Sequence, residues 1–421
     1  MSEPTTSEAP RLLRTPPPFG RDRMVHAWIG VIGLANAGDA IWSIALSWTA
    51  VQIASPAVAG LVVAAGAVPR AAILLFGGAL ADRADARRVM ILFNALRILV
   101  LVGTAGWVLA HPPTVPMLAI AAVAFGVCDA LYSPSAATLS RQLVRTEDLP
   151  RYGAAAQVSW RLGTMGGAAV GGFLVAHSGL AGGAAVDTIT FALLIAFLAI
   201  WLRPRFALPR TEREPVLRGI GKGFAHLRAA ALTRTLILSL LGLNLAVGPA
   251  VGIGIALRAT AEGWGAGAVG LFEGLLAAGA ALGSLSVLRL RPRREARAGF
   301  IALMVQGLCI VMLGLGPAWV TGTASLVLGV TAGFASVMLG STFTAMVDAA
   351  YLGRMSAITQ LGDDCLMPAA MALFGALATI APLWVAFAVF GGGMILMMLV
   401  PLRNPRIRAL SLRAGSGPSD S

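Results

Sequence analysis

What most constrains this chain is a repeated alternation: long apolar runs separated by short polar blocks that carry most of its arginines. A helix rises about 1.5 Å per residue, so a run of about twenty apolar residues matches the roughly 30 Å of hydrocarbon in a bilayer. A soluble chain of 421 residues would need polar residues to cover its domains. Only 12% of the residues are charged and the mean hydropathy is +0.81, whereas soluble proteins carry roughly 25% charge. The chain therefore reads as an all-α membrane protein. Twelve transmembrane helices are predicted over 27–52, 57–81, 88–110, 115–140, 153–176, 179–202, 233–257, 265–288, 298–318, 321–347, 355–380 and 382–402.

Orientation follows from the basic residues. Numbered from a cytoplasmic N-terminus, the inside segments hold 28 of the 32. They include Arg11, Arg14, Arg21 and Arg23 in the N-terminal tail and eight residues between the sixth and seventh helices, Lys222 and Arg205 among them. Only Arg258 falls in an outside loop, and Arg70, Arg97 and Arg161 lie within helices. This asymmetry places both termini in the cytoplasm and accounts for the net charge of +13 without an anionic ligand. Seven tryptophans (28, 48, 107, 201, 264, 319 and 384) fall near helix ends, as an interfacial belt requires, and Trp42 and Trp160 are the exceptions.

The longest polar connection, 203–232, contains Pro204, Pro209 and Pro215 and divides the chain evenly. The predicted organisation is a cytoplasmic N-terminal tail (1–26), a six-helix half (27–202), a basic linker (203–232), a second six-helix half (233–402) and a cytoplasmic C-terminal tail (403–421). No basic helix with interleaved aromatics points to nucleic acid. Cys128, Cys309 and Cys365 sit singly in apolar runs and read as small core residues. The four histidines are far apart, so no metal cluster is indicated, and Gly221-Lys222-Gly223 lacks the Ser/Thr of a phosphate-binding loop. No catalytic constellation and no cofactor are expected. The N-terminal segment through Arg23 is polar and lacks the apolar stretch of a cleavable signal peptide.

Between the second and third helices the chain reads Gly78-Ala79-Leu80-Ala81-Asp82-Arg83-Ala84-Asp85-Ala86-Arg87-Arg88. The fifth helix carries Gly163-xxx-Gly167-Ala168-xx-Gly171-Gly172. Asn36, Gly38 and Asp39 lie on the first helix, and Asp129, Tyr132, Ser133 and Pro134 on the fourth. Together these resemble the major facilitator superfamily, in particular the drug:proton antiporter branch that includes macrolide-efflux and enterobactin-export proteins. Two departures stand out: Ala86 occupies the place of a glycine in the loop, and Ala168 that of a proline in the helix. The resemblance implies two six-helix halves around a midplane site. It implies outward transport of a small amphipathic molecule such as a drug or natural product, driven by protons across the inner (plasma) membrane. The loop residues Gly78, Asp82, Arg83, Arg87 and Arg88 are expected to act in the conformational change, facing the start of the eleventh helix near Met355. Gly163, Gly167, Gly171 and Gly172 are expected to pack helices closely, which small residues of any bundle also do.

Ionisable residues at membrane depth are costly and mark function. In the first half Asp39, Asp129 and Asp187, the last near the outer surface, face Arg70, Arg97 and Arg161, a set that can neutralise itself. Asn36, Asp39, Trp42 and Ser43 share a face and are expected to line a cavity. The second half holds Glu273, Asp363 and Asp364 with no base at depth, so these are the expected proton carriers. Gln360 and Met367 flank the adjacent pair. The expected partners are a small-molecule substrate, protons and the bilayer, with no nucleic acid and a monomeric state. A proton-driven importer, or a membrane scaffold or sensor on a transporter fold, are the alternatives; the acids at depth argue against the scaffold.

Overall fold

The computed structural model of the chain describes residues 17–69, 85–207, 231–287, 294–346 and 349–404, with 11, 12, 73, 289, 290 and 292 besides. Gly78, Asp82, Arg83 and Arg70 lie outside the described residues, as do the side chains of Gln360, Asp363 and Asp364.

The first half is α1 (Arg23–Ile53), α2 (Pro56–Ala65), α3 (Ala86–Ala110), α4 (Val115–Leu143) and α5 (Leu149–Ile200). Further along come α6 (Ala231–Pro249), α7 (Ile255–Ala261), α8 (Ala266–Ser286), α9 (Glu295–Leu313), α10 (Ala318–Met346), α11 (Ala349–Ile380) and α12 (Leu383–Arg403). Among the described residues nine helices are long and apolar enough to cross a membrane, and shorter apolar helices accompany them.

One of the nine is broken. Within α5, Gly179 takes φ 59 and ψ −155, a conformation that only glycine adopts without strain. The contacts show that the chain reverses there. The first limb runs parallel to α1, with Gly163 over Gly33, Gly167 over Ala37 and Gly171 over Ile41. The second limb runs antiparallel, with Gly183 against Ala45, Thr190 against Gly38 and Phe197 against Trp28. The predicted boundary between the fifth and sixth helices falls at this glycine.

Other boundaries moved for identifiable reasons. α1 begins at Arg23 because Asp22 caps it, its carboxylate accepting from the Val25 amide at 3.2 Å. α9 ends at Leu313 rather than 318, because Gly316 turns with φ 76 and Pro317 follows. The predicted seventh helix is divided: Pro249 removes a backbone donor, and a π-turn at Ala250–Gly254 links α6 to α7.

The two halves touch along one face of the bundle. Gln52 donates to Thr260 at 2.9 Å, and the Ala57 amide donates to Thr379 at 3.0 Å. A methyl group built on Gly60 would lie 2.8 Å from the Met371 carbonyl, and one on Gly172 2.5 Å from the Gly270 Cα. These contacts lie at the ends of α1 and α7, the start of α2 and the later turns of α11. That is the face opposite the N-terminus.

On the N-terminal face the first half is clasped shut. β1 (Arg11–Leu12) pairs antiparallel with β2 (Phe206–Ala207), Leu12 opposite Phe206. Arg205 forms a buried ion pair with Asp22, with its Nη2 2.9 Å from Oδ1. Its own amide donates to the Gln142 carbonyl at 2.8 Å. Burial alone would lift the Asp22 carboxyl, but the bonds from Arg205 and Val25 and the Arg205 charge outweigh it and hold it below the ordinary value. Arg205 is thus buried and paired, not one of the solvated arginines of a linker, and the segment predicted as linker is fastened to the first half through residue 207.

Trp28 is also corrected. It is 1% exposed and donates Nε1 to the Tyr152 hydroxyl at 3.2 Å, so it belongs to the core of the half and not to a belt. Trp107, Trp201, Trp319 and Trp384 are exposed near helix ends as expected. Cys365 is exposed, whereas Cys128 and Cys309 are buried.

Candidate functional site

A cavity of about 630 Å³ lies between the halves, lined by α1, α2, α4, α6 and α11. Asn36, Asp39, Trp42 and Ser43 of α1 all face it, spaced three to four residues apart on one side of that helix. Phe125 and Asp129 of α4, Asn244 of α6 and Met367 of α11 complete the wall. Trp42 presents its ring to Phe125, with centroids 6.0 Å apart. Asn36, Asp39 and Asp129 also line a second cavity of about 410 Å³ inside the first half, which continues toward the N-terminal face past Tyr132, Gln157 and Trp160.

Arg97 lines the second cavity and is only 2% exposed. One guanidinium nitrogen makes a short charged bond with Asp129, and the other reaches Asn94 at 3.5 Å. The rings of Phe125, Tyr132 and Phe191 surround the guanidinium at 5.1, 4.9 and 5.1 Å. Such a cage holds a delocalised cation at depth through charge–quadrupole attraction. Asp39 adds its charge to this pair, while its Oδ1 is buried without a hydrogen-bond partner among the described residues, on a residue that lines both cavities.

Asp187 does not lie near the outer surface. It is 0% exposed and packs at the level of Gly38, the middle of α1, accepting from Thr190 at 3.1 Å through Oδ1 while Oδ2 stays unpartnered. Any side chain at position 38 would collide with it. Arg161, by contrast, faces a separate lobe between α5, α6, α9 and α10. The first half is therefore not a set of three neutralising pairs, because α5 turns Arg161 away from α1.

In the second half Glu273 is half-buried and has no hydrogen-bond or ion-pair partner among the described residues. It precedes Gly274, which packs on Ala169 of α5, so it borders the seam that Gly172 and Gly270 form between the halves. Asp363 and Asp364 lie on α11, one turn before Met367.

The glycine motif of α5 is divided between two tasks. Gly163, Gly167 and Gly171 pack on α1 within the half, whereas Gly172 crosses to α8. Ala168, in the place of the proline, is buried at that crossing. Of the loop motif, Arg87 donates to the Leu198 and Ala199 carbonyls at 2.5 Å each and caps the second limb of α5. Arg88 is exposed beside Asp85 at 4.0 Å.

Sequence reading overlooked Phe125, Phe191, Asn244, Gln306 and Ser336. Asn244 had a signal, as an amide in the apolar run Leu240–Val247. The two phenylalanines had none, since an apolar ring in an apolar helix marks nothing until its neighbour is known.

The profile of the Major Facilitator Superfamily matches residues 28–369. The chain is 28% identical over 365 residues to the enterobactin exporter EntS of Escherichia coli O157:H7, covering 82% of this chain and 84% of that protein. Among solved structures, a mutant of the nucleoside transporter NupG superposes with a TM-score of 0.71 at 12% identity, covering 89% of this chain and 98% of that one. A bacterial homologue of the lysosomal transporter Spinster, crystallised inward-facing and unoccupied, superposes with a TM-score of 0.62 at 16% identity, covering 94% and 98%. With these matches over an all-helical bundle whose halves enclose an acid-lined cavity, the chain belongs to the major facilitator superfamily and is a transporter, not an enzyme.

Proposed function

We propose that this transporter is a proton-coupled exporter of a small amphipathic molecule, working by alternating access in the inner (plasma) membrane as a monomer. Twelve helices in two halves, with both termini in the cytoplasm, are part of that reading. The observation that carries the export direction is the likeness to enterobactin exporters over four-fifths of the chain. The site supports the substrate class: an amphipathic molecule needs both an apolar ring face and polar anchors, which Trp42 and Phe125 supply beside Asn36, Asp39 and Asn244.

The halves are in contact on the face away from the N-terminus, while the cavities extend toward the N-terminal face. With that terminus inside, this is the inward-open stage, in which substrate enters from the cytoplasm. Rocking the halves about the midplane site then opens the α5–α8 seam. Asp82 and Arg83 act at the opposite interface and do not touch substrate.

Proton exchange falls to Asp363 or Asp364, with Glu273 as the second candidate. Glu273 supports this by its place: a carboxylate bordering the seam without a counter-ion among the described residues resists burial while charged, so taking up a proton favours closure there. The test is substrate-driven proton movement in proteoliposomes. Glu273→Gln, Asp363→Asn or Asp364→Asn is expected to abolish it while substrate still binds. Intact flux in all three variants would move the coupling site to Asp39 or Asp129, and flux lost only in Asp39→Asn would establish that move.

A further inference from the structure

A third cavity, of about 520 Å³, opens between the halves along α5, α6, α9 and α10. Asn244 belongs to its wall and to that of the central cavity, and Trp160 to its wall and to that of the cavity inside the first half. The three spaces therefore share wall residues. The third of them, the distal branch of the set, is distinguished by charge. Arg161 lies about a dozen residues into α5, some 18 Å along the helix at about 1.5 Å per residue, and lines this branch.

Arg161 has no ion-pair or hydrogen-bond partner among the described residues. A cation at membrane depth normally finds a carboxylate or a carbonyl, as Arg97 finds Asp129. The walls facing Arg161 offer uncharged groups instead: Asn244 from α6, Gln306 from α9 and Ser336 from α10. Gln306 is 1% exposed and its Oε1 has no hydrogen-bond partner. A buried polar atom without a partner costs about 1–3 kcal/mol, so this wall is completed only when a donor arrives. A guanidinium and an amide oxygen without partners among the described residues, beside the indole of Trp160, together make a recognition surface for a ligand.

We propose that this branch is a specificity subsite that receives an acidic group of the transported molecule, with Arg161 as its counter-ion and Gln306 accepting a hydrogen bond from a neighbouring hydroxyl or amide. The substrate class is then an acidic amphiphile, its apolar body lying toward Trp42 and Phe125. The assignment rests on the transporter reading above and narrows it. It is tested at equilibrium on the purified full-length protein without any gradient, so its failure leaves export and proton coupling standing, and their failure leaves it untouched.

The experiment places a cysteine at Ser336 in a Cys365→Ser background, since Cys365 is the exposed native thiol. Labelling by anionic sulfonatoethyl methanethiosulfonate is compared with labelling by its cationic trimethylammonium counterpart, and Ser43→Cys in the Asp39 branch serves as reference. At Ser336→Cys the anionic reagent is expected to gain about tenfold over the reference, the factor that about 1.4 kcal/mol gives. Arg161→Gln removes the gain and Arg161→Lys keeps most of it. Dansylglycine, an acidic amphiphile, is then expected to slow labelling at concentrations where its uncharged methyl ester does not. No labelling, no charge preference, or equal protection by both probes would overturn the subsite; so would no protection by either, which would leave a merely hydrated arginine. These arms use the native Arg161, so a folding defect in the arginine variants does not blunt them.

Discussion

The most consequential residue inside the first half is Arg97, because three rings and one carboxylate meet at it. Arg97→Met leaves Asp129 without that cation, and breaking a buried pair costs roughly 3–5 kcal/mol. The lower end is expected, since the Asp129 side chain is 31% exposed. Thermal unfolding in detergent measures it, and Asp129→Asn added to Arg97→Met is expected to recover part of the loss. Asp22 offers a pH test. Its carboxyl is held below the ordinary value of about 3.9, so the stability it adds is full above that value and disappears as pH falls through the lowered one. Asp22→Asn is expected to melt earlier than wild type at neutral pH, and the gap to close only in strong acid. A gap already closed near pH 5 would contradict the pairing. That residues at depth matter was legible in the sequence, since charges are rare in apolar runs. Which of them meet was not: that depends on the rotation of each limb of α5 about its own axis, the first turning Arg161 outward from α1 and the second turning Asp187 inward toward Gly38.

At the scale of elements, legibility followed the physics of the bilayer. The hydrocarbon core demands a fixed apolar length, so α8 and α12 lie within a residue or two of the ranges expected for them. Hydropathy does not register turns made of apolar residues, and the end of α9 was missed because Leu315 and Pro317 continue the apolar pattern across it. Nor does it register polar residues that extend a helix, as Arg23 and His26 do at the start of α1 under its Asp22 cap. The contact of α5 with α8 is the element pair most open to test. With Gly172 and Gly270 this close, Gly172→Val cannot be accommodated without separating the helices. The variant is expected to fold but to lose transport at least tenfold, because the face away from the N-terminus no longer closes. Crosslinking of cysteines placed at Gln52 and Thr260, now 2.9 Å apart through their side chains, should fail in the same variant. Gly163→Val instead strikes α1 inside the half and is expected to impair folding itself.

For the whole molecule the arginine asymmetry predicts the topology, and labelling decides it. A cysteine replacing Pro209 is expected to react only from the cytoplasm, and one replacing Pro112 only from outside. Reaction of both from the same side would refute the arrangement of twelve crossings. The exposed position of Pro112 in the connection between α3 and α4 keeps that site reachable. The central basic stretch marks where the chain is expected to divide, but the place of Arg205 could not be read from it, since Arg205 looks in sequence like any other arginine of a polar loop and only its meeting with Asp22, 183 residues earlier, distinguishes it.

That clasp bears on how the protein is made. Every group in it, from Arg11 through Asp22, Gln142 and Leu143 to Ala207, belongs to the first half of the chain. Synthesis proceeds from the N-terminus, so all of these parts exist before α6 has been translated. The early half can lock the helix ends of its N-terminal face together while the ribosome is still producing the later one, and the nascent protein need not wait for its second half to bury Asp22 and Arg205.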